Sequence, residues 1–370
     1  MIVRWTLRSL IESPLAAFGS AAAVGAALAL VILFEGIWLG EADQVVAYAD
    51  HTDADIWVMQ RGVSNMHMAT SLMPDNKRAA VASLQGVADV APILYLNTLV
   101  KAGDRQSFSY VVGITETSTR GGPWSMAKGK SAVKPGEAVI PEVLSSLSGV
   151  GVGGRVRIAD RWLEVVGLSQ GTYSMANPVT FVHSADVAEL LSIKGYDSYL
   201  LVRTTPGVDP TTAARRIEAS IDGVSAFTKA EFVASDRRMA MQMGIEVIEL
   251  ITLIGTVLAA VLVAFTLYTH TIRKRRELSI LKALGFRGRQ LLGSVLLQAV
   301  LLTALGFGLA VVFAYACLFV TNEFVPQVAM ELDAAILFKV AAGGLLVALV
   351  AATIPASQVI RVDPHSVFQS

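Results

Sequence analysis

The chain has 370 residues, 30 Lys and Arg against 30 Asp and Glu, 54% hydrophobic residues and a mean hydropathy of +0.56. That hydropathy excludes a wholly soluble globular protein, and the balanced charge offers nothing in bulk to attract nucleic acid, so only the placement of charge along the chain is informative. The single cysteine, Cys317, lies inside an apolar run and excludes an intrachain disulfide.

Residues 1–13 read as an amphipathic helix in the membrane interface. Val3, Leu7, Leu10 and Ile11 share one helical face, Arg4, Arg8 and Glu12 line another, and Trp5 falls at headgroup depth before Pro14 breaks the pattern. The first apolar run, 15–39 within segment 14–41, exceeds the roughly 20 residues that cross a ~30 Å hydrocarbon layer. Arg4 and Arg8 before it and Ala47-Tyr48-Ala49 after it suggest a cleaved signal. The apolar core is about twice a signal's length and ends well short of that site, which favours an uncleaved span. Gly19, Ala23 and Ala27 recur every four residues, and Ala21, Gly25 and Ala29 make a second row. Such rows let a neighbouring helix approach closely, either span 2 or a second copy.

Residues 42–238 form one insertion, long enough for its own core and two subdomains. Strand patterns fall at 55–59, 107–112 and 198–202, and 155–158 pairs with 162–166 through Ala159-Asp160. Helical patterns fall at 141–148, 184–191 and 210–221, the last started by Asp209 before Pro210. A mixed α/β domain is expected. Gly129-Lys130-Ser131 suggests a P-loop, but the position that must be glycine is Trp124, so nucleotide has to be handled by a partner. Met66-His67-Met68 and Met239, Met241 and Met243 raise soft-metal binding, since thioethers favour Cu(I). Adaptable packing is the better reading of these methionines, and the five histidines make no catalytic constellation.

Segments 245–269, 291–320 and 334–354 complete four expected spans. Arg4 and Arg8, then Arg273, Lys274, Arg275, Arg276, Lys282, Arg287 and Arg289, then Arg361 mark one side of the membrane, while the loop after span 3 carries Glu323, Glu331 and Asp333. Both termini and the 273–290 loop are therefore expected in the cytoplasm, with 42–238 extracytoplasmic; Arg237 and Arg238 are the contrary pair. Glu35, Glu246 and Glu249 fall near the outer ends of spans 1 and 2. Interfacial placement, or pairing with Arg237 or Arg238, is their first reading and gating their second.

The 273–290 loop holds a short basic amphipathic helix. Arg273 and Glu277 are four apart and can pair, while Leu278, Ile280, Leu281 and Leu284 form a narrow apolar stripe ending at Gly285. Gly288 lets the chain turn back toward span 3. Anchoring to anionic lipid and docking to a soluble partner both fit this pattern.

The run Arg275-Arg276-Glu277-Leu278-Ser279-Ile280-Leu281-Lys282-Ala283-Leu284-Gly285 resembles the signature of the FtsX-like permeases, the MacB, LolC and DevC group of ABC transporter membrane subunits. Ile354-Pro355-Ala356, Val359, Arg361, Asp363-Pro364 and Val367 are similar to that family's closing elements, and Asp55 to Gln60 with Asn65-Met66-His67 resembles the DevC-like branch. The architecture matches over the whole chain, the motifs over its C-terminal third. The resemblance implies a multi-pass protein of the bacterial cytoplasmic (inner) membrane whose 239–370 segment is the permease domain. In it, 273–286 would be a coupling helix seated in a separate ATPase, with Arg275, Arg276, Glu277, Leu278, Leu281, Lys282, Leu284 and Gly285 at the contact. ATP and Mg would belong to that ATPase, with no cofactor on this chain. Two copies, or a copy and a paralogue, would pair, and a membrane-fusion adaptor is a further partner. The function implied is export or extraction of a lipid, glycolipid, lipoprotein or peptide by mechanotransmission. The alternative is a signalling permease that transports nothing and regulates a cell-wall hydrolase.

Overall fold

A computed structural model describes residues 14–67, 70–115, 120–175, 177–273, 285–325 and 327–360, together with Thr6, Arg8, Ile11, Glu12, Glu277, Ile280 and Lys282. The chain divides into two compact units, one of residues 41–244 with 326–329 and one of 1–40, 245–325 and 330–370. Two long helices, α1 (Pro14–His51) and one near the middle of the chain, contribute to both.

The first unit contains two interlocked substructures. β1 (Ile56–Gln60), β2 (Met73–Pro74), α2 (Asn76–Ala82) and the long β3 (Val87–Ala102) come first. β4 (Arg105–Ile114), β5 (Met126–Gly129), β6 (Glu137–Pro141), α3 (Glu142–Ser148), β7 (Arg155–Ile158), β8 (Arg161–Ser169), β9 (Val179–His183) and α4 (Ser184–Leu190) follow. Then β10 (Tyr196–Asp197), β11 (Tyr199–Thr204), α5 (Pro210–Ser220) and β12 (Val224–Thr228) close the unit. Strands β12-β1-β11-β3 lie side by side, all antiparallel, so β1-α2-β3 and β11-α5-β12 interleave as a split βαβ sheet. Everything from β4 to β9 is inserted between its second and third strands.

The insertion closes into a barrel. β3 pairs β4, β4 pairs β9, β9 pairs β6, β6 pairs β8, β8 pairs β7, and β7 returns to β3. Val87–Ile93 of β3 serves the open sheet and Leu94–Ala102 the barrel, so this one strand belongs to both. Closure removes unpaired edges around the ring.

Alternation along the strands sorts the cores. Ile56, Val58, Leu200, Val202, Val224 and Ala226 face α5 and its Ala213, Ala214 and Ile217. Trp57, Met59, Tyr199 and Leu201 face the other way into an aromatic core with Tyr48, Tyr95, Tyr110, Phe181 and Phe232. Val100, Val111, Ile140, Val156, Leu163, Val165 and Val182 fill the barrel, where Leu144 of α3 and Val187 of α4 join them.

The second unit is helical. α6 (Lys229–Arg273), α7 (Gly288–Phe324) and α8 (Ala334–Ile360) follow the strands in the chain. Among the described residues, three helices are long and apolar enough to cross a membrane: Pro14–His51, Gly288–Phe324 and Ala334–Thr353. Segment 245–269 is helical within α6, and its apolar stretch there is Leu253–Thr266. The core of this unit is rich in small side chains, with Ala17, Ala21, Val24 and Leu28 of α1 against Ala299, Leu302 and Ala310 of α7 and Val340, Ala348 and Ala352 of α8. Pro14 is the first residue of α1, so the span begins where the break was expected, and proline is well suited to a first helical turn.

Candidate functional site

The basic segment starts where α6 ends, at Arg273. Arg275, Arg276, Leu278, Leu281 and Leu284 lie outside the described residues. Glu277 and Ile280 are exposed and Lys282 is half-buried. Gly285 has φ +91°, a left-handed conformation that a side chain resists, and its N–H donates to the Lys282 carbonyl at 3.1 Å. Gly288 was expected to turn the chain; it is instead the first residue of α7. The turn falls just before it, and Arg287 N–H donates to Gln290 Oε1 at 2.9 Å, which occupies an amide at the helix start.

Within the helical unit, α1 and α7 approach one another backbone to backbone. A Cβ on Gly25 would lie 2.8 Å from the Gly306 carbonyl oxygen, and a Cβ on Gly306 would lie 2.8 Å from the Ala21 carbonyl oxygen and 3.0 Å from Gly25 N. α1 and α7 therefore cross where both lack a side chain, which is how helices pack closely without a hydrophobic driving force between them. Gly344 of α8 meets the same helix, since its Cβ would lie 2.9 Å from Leu28 Cδ2. Ala21, Gly25 and Ala29 are buried. In the other row Gly19 is exposed with nothing within 4 Å of its Cβ position, Ala23 is half-buried and Ala27 is buried. The N-terminal segment contributes Thr6, whose hydroxyl is 2.8 Å from that of Ser294, and an exposed Arg8–Glu12 pair at 2.8 Å.

A charge pair missed by the sequence reading joins α1 to α8. Lys339 Nζ donates to Glu35 Oε1 at 2.7 Å, with the carboxylate side chain only 13% exposed. Pairing relieves the cost of either charge among apolar helices. Arg237, offered as a partner for Glu35, is taken by Asp43 instead. The sequence signal was present: a lone lysine in an otherwise apolar run.

In the α/β unit, α6 is tied into the aromatic core. The Phe232 ring stacks on Trp57 with centroids 4.4 Å apart and an interplanar angle of 11°. One helical turn later, Asp236 Oδ1 accepts from Met66 N–H at 2.8 Å and lies 2.8 Å from His67 Nδ1. Tyr95 and Tyr199 donate to the carbonyls of Met66 and Asn65 at 2.9 and 3.2 Å. Burial raises the phenols of Tyr95, Tyr110 and Tyr199, and the Asp236 charge adds to it, so all three stay protonated. Met66 is buried in this core, while Met239 and Met241 are half-buried. Among the described residues no three His, Cys, Asp or Glu side chains gather as metal ligands would. Gly129 ends β5, and the Lys130 N–H beyond it donates to the Val166 carbonyl at 3.0 Å, so that amide is engaged by the barrel.

Comparison with known proteins agrees with this architecture. Residues 13–220 match the MacB-like periplasmic core domain, and residues 249–364 match the FtsX-like permease C-terminal family. An uncharacterised ABC transporter permease of Mycobacterium tuberculosis (strain ATCC 25618 / H37Rv), Rv0072, is 24% identical over 93% of both chains. A Staphylococcus haemolyticus protein named for a hemin transport system permease, HrtB, is 29% identical over 36% of this chain and 35% of its own. Among solved structures, the periplasmic region of MacB from Actinobacillus actinomycetemcomitans aligns at 10% identity and a TM-score of 0.38, covering 53% of this chain and 94% of that one. With the periplasmic core match covering more than half of the chain and the permease match following it, the chain belongs to the MacB/FtsX-type family of ABC transporter permeases.

Proposed function

We propose that a separate ATPase, carrying the ATP and Mg²⁺, seats on the 273–286 segment and moves the helices and α/β domain of this permease. A hydrophobic substrate is thereby exported or extracted without passing through a central channel. In this reading four spans cross the bacterial inner membrane with both termini cytoplasmic, and a second permease, identical or paralogous, completes the assembly. Leu278, Leu281 and Leu284 supply the apolar stripe of the contact, and Arg275, Arg276, Glu277 and Lys282 its charge. The observation that most supports the reading is α6, one helix of 45 residues with Phe232 and Asp236 in the aromatic core near its start and the basic segment directly after its end. Each turn of a helix is tied to the next by hydrogen bonds, so a push along its axis at one end is a displacement at the other. The name of the hemin-system relative supports a membrane-partitioning cargo, within a class that includes lipids, glycolipids, lipoproteins and hydrophobic peptides.

The test combines Glu277→Lys with Leu281→Asp in the full chain. Loss of ATPase co-purification and of stimulated hydrolysis is expected, and unchanged values of both would overturn the coupling assignment. Labelling of a cysteine at Ser131, in a Cys317→Ala background, should succeed from outside the cell; labelling from the cytoplasm alone would overturn the orientation.

A further inference from the structure

The barrel wall formed by β4, β3, β7 and β8 presents its outward side chains in register. Gln106, Lys101, Arg157 and Trp162 stand opposite one another in one row, strand by strand, and Phe108 faces Leu99 in the next. Lys101 and Arg157 are both exposed, and like charges directly opposite on neighbouring strands oppose pairing. Neither is in an ion pair among the described residues; Arg157 Nε donates only to the Ala159 carbonyl at 3.0 Å. The nearest acid in register, Glu164, stands opposite Arg155. Around the two cations lie Phe108 and Trp162, each 59% exposed, and Leu99, 37% exposed. A hollow of about 310 Å³ lies over the same strands, lined by Thr98, Leu99, Lys101, Gln106, Arg157 and Ala159.

A wall with two cations set against each other and large apolar side chains left in solvent is a poor choice for stability. It is a good choice for contact. Exposed Trp and Arg are the residue types that carry binding energy at protein interfaces, and the positive charge selects a negative partner. Both edges of β3 and of β7 are already paired along this wall, so a partner must be read by side chains and not by strand addition.

We propose that this wall docks an acidic, apolar segment of a partner protein, with a carboxylate between Lys101 and Arg157 and flanking apolar side chains against Phe108, Leu99 and Trp162. The surface belongs to the barrel alone and stands apart from the reading of the 273–286 segment.

The test uses the full chain in neutral detergent and fluorescence anisotropy with two labelled peptides, one alternating Glu with Leu and Phe and the other with Lys in place of Glu. The wild type should bind the acidic peptide, more weakly as salt rises, and not the basic one. Lys101→Glu with Arg157→Glu should weaken acidic-peptide binding by about tenfold or more and create binding of the basic peptide. Phe108→Ala should weaken acidic-peptide binding while keeping its salt dependence. Because the two cations repel, Lys101→Gln should melt no lower than the wild type; a lower melting point would make the pair structural and overturn the proposal. Equal binding of both peptides, unchanged binding by the double variant, or binding to phosphatidylglycerol vesicles with neither peptide bound would overturn it as well.

Discussion

Gly25→Ala probes the crossing of α1 and α7. The added carbon would stand 2.8 Å from the Gly306 carbonyl oxygen and 3.4 Å from Leu309 Cβ, and the first of these is backbone that no rotamer change can move. The helices would have to separate by several tenths of an ångström. Overpacking of this kind costs about 1–3 kcal/mol, partly offset by about 1 kcal/mol of helix propensity gained when glycine becomes alanine. Gly19→Ala has the same propensity gain and nothing within 4 Å to meet, so it is the matched control on the same helix. The expected result is that Gly25→Ala lies below Gly19→Ala in stability by about 1–3 kcal/mol, since the propensity gain cancels in the comparison. Denaturation of the full chain in mixed micelles with rising SDS, followed by tryptophan fluorescence, measures that difference. Equal midpoints for the two variants would refute the close approach, and a greater loss for Gly19→Ala would place the contact on the other row of small residues.

Asp236→Leu removes the acceptor of both Met66 N–H and His67 Nδ1 inside the aromatic core, and leaving a buried donor unpaired costs about 1–3 kcal/mol; chemical denaturation showing no loss would contradict the described bonding. Two carboxylates should respond to pH with opposite signs. Burial raises Asp197 above its ordinary value of 3.8 despite its bonds to Arg78, so the folded form holds that proton more tightly; its stabilising share is present at low pH and lost as pH rises through the raised value. The hydroxyl of Thr212, with its N–H, holds Asp209 below 3.8 at the start of α5, so its share is present above 3.8 and lost as pH falls through the lowered value. Thermal midpoints against pH should therefore climb less toward acid in Asp197→Asn and fall less toward acid in Asp209→Asn, and parallel curves for both variants and the wild type would reject the assignment.

Local elements were legible because local rules decide them. The hairpin through Ala159-Asp160 pairs Ile158 with Arg161, and Asp209 accepts from Thr212 N–H at the start of the helix it was expected to begin. Nothing local announces that β3 meets β7, or that β4 runs parallel to β9, because those partners are far apart in the chain. The barrel was therefore invisible until the strands were placed. The two small-residue rows of the first span carry the same period, and period alone cannot say which row turns inward; the decisive partner, Gly306, lies on another helix. Lys339 carries no local mark of its role, because its partner Glu35 lies on another helix, far away in the chain.

The interleaved order of the strands has a consequence for synthesis. The strands of the barrel are all complete once His183 has left the ribosome, and the ring can close from a continuous piece of chain. Ile56–Gln60 is made long before them, yet both of its neighbours, Tyr199–Thr204 and Val224–Thr228, come afterwards. The strand at the centre of the open sheet, with Trp57 in it, must therefore stay unpaired while the entire barrel is translated, and such a strand is open to wrong pairing. The last strand to arrive leads straight into α6, so completion of the sheet and emergence of the second apolar segment are consecutive events on the same nascent chain.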